Sequence, residues 1–123
     1  MKEKVAVLGA SENKSRYSYL AFKMLEEFGH EAIPVSPRLK DLEGKKVYAK
    51  LTDIPGKVDT LTMYVGPEIS TALHEEIVQL KPKRVIFNPG SENPALAKSL
   101  REAGVGVEEA CTLVLLRTNQ FET

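Results

Sequence analysis

The segment Val5-Ala6-Val7-Leu8-Gly9-Ala10-Ser11 constrains this chain more than any other. Its unbroken apolar run with two valines reads as a strand buried on both faces. Gly9 ends the strand, and the polar stretch from Glu12 to Arg16 reads as a tight loop. A helical pattern begins at Tyr17: Tyr17, Leu20, Ala21, Met24, Leu25 and Phe28 fall on one predicted apolar face. Gly29 is the expected left-handed residue that closes this helix. A buried strand that runs through a short loop into a helix N-terminus gathers unpaired backbone N–H groups and the positive end of the helix dipole, a setting that suits phosphate. Gly9 would let the backbone approach a bound anion. The same junction can also be a plain turn that binds nothing, and this stretch alone does not choose.

The rest of the chain repeats the alternation. Glu31-Ala32-Ile33-Pro34-Val35-Ser36-Pro37 is a short second strand, in which Pro34 lacks a donor and so predicts a bulge or partial exposure. Residues 38 to 45 are polar and turn at Gly44, Val47-Tyr48 can form a brief strand, and residues 51 to 55 a loop or single turn. Val58 to Val65 is a longer strand ended by Gly66-Pro67, and the helix after it puts Ile69, Ala72, Leu73, Ile77 and Leu80 on one face. Arg84 to Phe87 is another strand, ended by Asn88-Pro89-Gly90. Asn93 caps the next helix with Pro94 at its first position, Gly104 ends it, Val105 to Glu108 is a last strand, and Glu109 to Leu116 a last helix.

Strands and helices in alternation, with apolar strands, call for an α/β fold: a single Rossmann-like domain over residues 1–123, with a mostly parallel five- to six-stranded sheet and helices on both faces. In such sheets ligands bind beyond the carboxyl ends of the strands, where the strand order reverses. Four segments end on that rim: Gly9-Ala10-Ser11, Val35-Ser36-Pro37, Val65-Gly66-Pro67 and Asn88-Pro89-Gly90. Proline after three of the strands stops the ladder and stiffens the loops.

Composition narrows the ligand. Lys plus Arg equals Asp plus Glu at 17 each, with no basic block, so no electrostatic footprint for nucleic acid is present. No apolar run approaches the ~20 residues that span a bilayer, and the first residues enter a core strand directly, so neither a membrane span nor a signal peptide is expected. The one cysteine, Cys111, excludes an internal disulfide and suits a reducing cytoplasm. His30 and His74 are scattered and give no metal-ligand spacing. A dinucleotide fingerprint needs Gly-x-Gly-x-x-Gly and an acid closing the second strand. Here Ser11 and Lys14 hold the second and third glycine positions, and the second strand ends in Ser36-Pro37. Lys14, Arg16, Arg38 and Lys40 lie in the two nearest loops, which favours a ligand with more phosphate than NAD.

Gly9-Ala10-Ser11, Val35-Ser36-Pro37, the Val58-Asp59 strand ending at Gly66-Pro67, and Val107-Glu108-Glu109-Ala110-Cys111 together resemble the small single-domain CoA-binding proteins. Those are similar to the CoA-binding Rossmann domain of the succinyl-CoA synthetase alpha subunit and of ADP-forming acyl-CoA synthetases. The resemblance spans Val5 to about Leu116. It implies that Gly9, Ala10, Ser11, Lys14, Ser15, Arg16 and Tyr17 contact the pyrophosphate of coenzyme A. It implies that Val35, Ser36 and Pro37, next to Arg38, border the adenosine. It also implies that Val65, Gly66, Pro67, Asn88, Pro89 and Gly90 line the cleft.

No catalytic set accompanies these residues. His30 and His74 read as surface residues away from the rim, Glu92 as an ordinary first-turn acid, and Cys111 as a buried structural thiol that, if reactive, could form a mixed disulfide with CoA. The expected protein is a CoA or acyl-CoA binder without catalysis of its own, with a protein partner or a homo-oligomer as options. Alternatives are an NAD(P)-binding oxidoreductase or redox sensor on the same fold, and an interaction domain with a vestigial pocket.

Overall fold

The computed structural model describes residues 2–122. Its elements, in chain order, are β1 (Lys4–Leu8), α1 (Tyr17–Glu27), β2 (Glu31–Val35), β3 (Asp41–Leu42), β4 (Lys45–Lys46), a 3-10 turn (Leu51–Asp53), β5 (Thr60–Met63), α2 (Pro67–Ala72), α3 (His74–Leu80), β6 (Arg84–Phe87), α4 (Pro94–Glu102), β7 (Gly106–Glu109) and α5 (Thr112–Arg117). Five strands form one sheet in the order β2-β1-β5-β6-β7, every pair parallel, while β3 and β4 make a small antiparallel hairpin. The chain leaves β1 toward β2 on one side and returns to pair β5 on the other, so the strand order reverses between β1 and β5. This is a Rossmann-like fold.

Alternating side chains give the sheet two apolar faces. Ala6, Leu8, Ile33, Val35, Leu61, Met63, Val85 and Phe87 face α3, α4 and the 3-10 turn, packing with Leu51, Ile77, Leu96 and Leu100. Val5, Val7, Ala32 and Ile86 face α1 and α5, packing with Phe22, Leu25, Leu116 and Phe121. Because both faces are covered, β1 is apolar throughout its buried length.

Pro34 is buried rather than bulged. It sits in the outermost strand, where the N–H side it shares with Ser36 faces away from β1; there Ser36 donates to the Tyr48 carbonyl and the Tyr48 N–H to the Pro34 carbonyl. α1 ends as expected, with Gly29 at φ +87° and the His30 N–H on the Leu25 carbonyl. Its buried stripe is shifted, however: Ser18, Ala21, Phe22 and Leu25 go inside, while Tyr17 and Leu20 stay exposed. The expected single helix after β5 is two short helices joined at Leu73, and only Ile77 of its predicted apolar face is fully buried. The last strand runs one residue further than its pattern, pairing Glu109 with Phe87, so the last helix starts at Thr112.

Polar side chains pin the connections. Asn88 donates to Thr62 Oγ1 (2.7 Å) and the Met63 carbonyl (2.9 Å) and accepts the Thr112 N–H (2.8 Å), which fixes the start of α5 against β5 and β6. Asn93 accepts the Leu96 N–H as the cap of α4 and donates to Ser70 Oγ at 2.8 Å, tying α4 to α2. No helix among the described residues is long and apolar enough to cross a membrane.

Candidate functional site

The rim at the carboxyl ends of β1, β2 and β5 opens into a cavity of about 1110 Å³. It lies at the point where the strand order reverses, the place this fold class uses for ligands. That volume sits at or above the ~300–1,000 Å³ usual for small-molecule sites, which suits a large, extended ligand.

Most of the rim residues singled out in the sequence line it: Gly9, Ala10, Ser11, Ser15, Arg16, Tyr17, Val35, Ser36, Pro37, Arg38, Val65 and Pro89. Lys14, Gly66, Pro67, Asn88 and Gly90 do not. Lys14 is exposed in the loop before α1; Gly66 and Pro67 form the start of α2; Gly90 receives the Glu92 carboxylate on its N–H at 2.9 Å. Asn88 is buried, and its side-chain amide is committed to the network that seats α5.

The first loop is held by its own side chains. Asn13 Oδ1 accepts the N–H and the hydroxyl of Ser15, Ser11 Oγ accepts the Asn13 N–H, and the Asn13 carbonyl accepts the Arg16 N–H. The N–H groups of Gly9 and Ala10 are occupied by the Val35 carbonyl. Gly9, at φ +93°, is required here by its neighbours: an added Cβ would lie 2.9 Å from the Tyr64 carbonyl oxygen. Gly9 thus has a packing role as well, the close approach of β1 and the segment after β5. The N–H groups of the first turn of α1 are open to an anion. Arg16 is the N-cap residue, makes no side-chain cap, and no acid occupies that turn.

Charge reinforces this. Arg16, Arg38 and Lys50 line the cavity, and none forms an ion pair among the described residues. Ser36 is buried and turns the chain toward them, its Oγ accepting the Arg38 N–H at 3.2 Å. Tyr64 lines the cavity, but its hydroxyl is buried beside Thr62 and Thr112; burial pushes its pKa up to about 12.

Sequence reasoning missed Ala49, Lys50 and Leu51 on one wall and Ile69, Leu73 and Glu76 on the other. Ala49 and Lys50 carry no sequence signal, and residues 51 to 55 read as a loop or single turn. Ile69 and Leu73 read as part of a core-facing helix, although surplus apolar residues on a helix that buries only one of them point to an occupant other than the core. His30 is also corrected: it lies at the opposite end of the sheet as expected, but buried. Its Nδ1 accepts the Glu3 N–H at 3.0 Å, and its ring meets Phe121 edge-on. His74 is half-buried at the start of α3. Cys111 is half-buried as the residue before α5 and unpaired, outside the cavity lining. No group of three or more metal-ligating side chains occurs among the described residues.

Comparison with known proteins agrees with this fold. The Bacillus subtilis protein YneT is 26% identical over 102 residues, covering 83% of this chain and 76% of that one. The alpha subunit of the ADP-forming acetate–CoA ligase II of Pyrococcus furiosus is 38% identical over 65 residues; the match takes in 52% of this chain but 14% of that subunit. The crystal structure of an uncharacterized protein superposes with a TM-score of 0.92 at 41% identity, covering 98% of this chain and 99% of that one. The family model for the CoA binding domain matches residues 3–117. With nearly its whole length matched, this chain belongs to the CoA binding domain family and corresponds to one part of the larger ligases.

Proposed function

We propose that the protein binds coenzyme A or an acyl-CoA in the rim cavity and carries out no chemistry on it alone. The observation that carries this reading is the set of unpaired cations, Arg16, Arg38 and Lys50, around a cavity that also receives the open N-terminus of α1. Coenzyme A carries a pyrophosphate and a ribose phosphate close together, a polyanion that three separate cations and a helix end can share. The side chains available support the second half of this reading: no histidine or cysteine is among the described residues that line the cavity, and its acids, Glu12 and Glu76, lie in different elements. Membership of the CoA binding domain family supports the same ligand.

The test is thermal unfolding with and without ligand. At a hundredfold excess over Kd, binding adds about 2.7 kcal/mol, which raises the melting temperature of a domain this size by several degrees. CoA should produce that shift and NAD should not. A shift with NAD and none with CoA would overturn the reading.

A further inference from the structure

Two carboxylates, Glu12 and Glu76, stand in a cavity otherwise suited to a polyanion. Glu76, half-buried on α3, lines it and makes no ion pair among the described residues. Facing a phosphate it would only repel. Its surroundings are different from those of the phosphate end. Leu51, buried at the start of the 3-10 turn, and Leu73, at the joint between α2 and α3, line the cavity too. The turn packs against α3, so these residues form an apolar slot on the sheet face away from α1. Ile69, one turn before Leu73, lines the slot too and is 53% exposed, one of four large apolar side chains left that open among the described residues.

An apolar slot with one acceptor on its wall fits a flat, uncharged ring that carries a hydrogen-bond donor. The isolated β-bridge between Val35 and Tyr48 places the Ala49-Lys50-Leu51 wall beside the end of β2, next to Ser36 and Arg38. A base in the slot would therefore sit beside the cations that hold its phosphates. We propose that Glu76 reads the exocyclic amine of the ligand's adenine, seated between Leu51 and Leu73 beneath Ile69. The inference rests on the CoA reading above and adds the residue that selects the base. A carboxylate accepts from an amine and rejects a carbonyl at the same position, so the site would discriminate adenine from hypoxanthine.

The experiment is calorimetric titration of wild type, Glu76→Gln and Glu75→Gln with CoA and with deamino-CoA, in which hypoxanthine replaces adenine, so that a carbonyl stands in place of the exocyclic amine and the adjacent N1 carries a proton. Glu75 is exposed on the same helix and does not line the cavity, so Glu75→Gln controls for the loss of a nearby charge. Wild type and Glu75→Gln should bind CoA about tenfold or more tightly than deamino-CoA, the worth of one hydrogen bond to a charged group. Glu76→Gln should bring the two ligands to within about twofold, because an amide can accept from the amine or donate to the carbonyl. Glu76 is only half-buried, so the variant should fold, which circular dichroism verifies. Equal binding of the two ligands by wild type, or an unchanged ratio in Glu76→Gln, would overturn the assignment of Glu76 while leaving CoA binding intact. Failure of wild type to bind either ligand would instead overturn the CoA reading and this inference with it.

Discussion

The two ends of the sheet use charge in opposite ways. At the amino ends of the strands, cations are enclosed by partners. Arg84, 7% exposed, donates to Thr60 Oγ1 (2.8 Å), Glu108 (3.3 Å), Glu3 (3.3 Å) and the Phe121 carbonyl, and stacks its guanidinium over the Phe121 ring. Asp59 accepts the Lys4 N–H at 2.8 Å and pairs with Lys83; that backbone hydrogen bond, more than the Lys83 charge, holds its carboxyl below the usual range. At the carboxyl ends, Arg16, Arg38 and Lys50 face a cavity with no ion pair among the described residues. The first arrangement satisfies buried charge and joins both ends of the described chain to the sheet. The second leaves charge for something that arrives.

The largest effect should come from breaking the satisfied end. Arg84→Ala takes the cation from the Glu3 carboxylate, which keeps the Thr60 hydroxyl as a donor, and takes the guanidinium donor from the Phe121 carbonyl, in a buried setting. Removing one partner of a buried pair costs about 3–5 kcal/mol, measurable by urea unfolding and roughly ten degrees or more in melting temperature. CoA affinity, referred to the folded fraction, should not change. A stability loss below about 1 kcal/mol would mean that these ion pairs are as dispensable as exposed ones, and the contrast between the two ends would fail.

Truncating the open end should reverse the pattern. Arg38 is exposed and its side chain has no ion pair among the described residues, so Arg38→Ala should alter stability by no more than about 0.5 kcal/mol. It should weaken CoA binding by roughly 1–2 kcal/mol, about five- to thirtyfold in Kd, with the loss shrinking as salt rises. A stability loss larger than the affinity loss would show that this cation is structural.

This contrast also marks what the sequence reveals. The β1–loop–α1 junction and the rim prolines are legible because their signals are local: an apolar run, a glycine, a helical period. Ring membership at the other end is not local. Arg84 reads as one more residue of an apolar strand, and its partners Glu3 and Phe121 stand 81 and 37 positions away. His30 reads as a polar residue after a helix, yet it is buried against Phe121 and the Glu3 backbone, 27 positions back. The break at Leu73 is equally hidden, since the apolar period continues through it. Six of the lining residues, Ala49, Lys50, Leu51, Ile69, Leu73 and Glu76, follow from that break and from the turn at Leu51, outside the four strand-end loops.

The smallest expected effect is a pH dependence confined to the satisfied end. His30 is 4% exposed, and burial, followed by the Lys2 charge, lowers its pKa below the ordinary 6.5, against the opposing pull of Glu122 and Glu3. The neutral form is also the one the structure uses, because Nδ1 must carry a lone pair to accept the Glu3 N–H. The unfolded chain therefore binds more protons than the folded one between the two pKa values, and stability rises with pH across that interval. It is fully present above about pH 6.5 and declines as pH falls below it, until folded His30 titrates too. Asp59, Glu43 and Glu122, with lowered carboxyl pKa values, lose their contributions only further down, below the ordinary 3.8 to 4.5. Urea midpoints for wild type should fall from about pH 7.5 to about pH 5.5. In His30→Asn, where Oδ1 can keep the acceptor and nothing titrates, they should stay flat over the same window. Parallel slopes in the two proteins would place the titrating group elsewhere and remove His30 from the set of groups that the closed end of the sheet holds in one ionisation state.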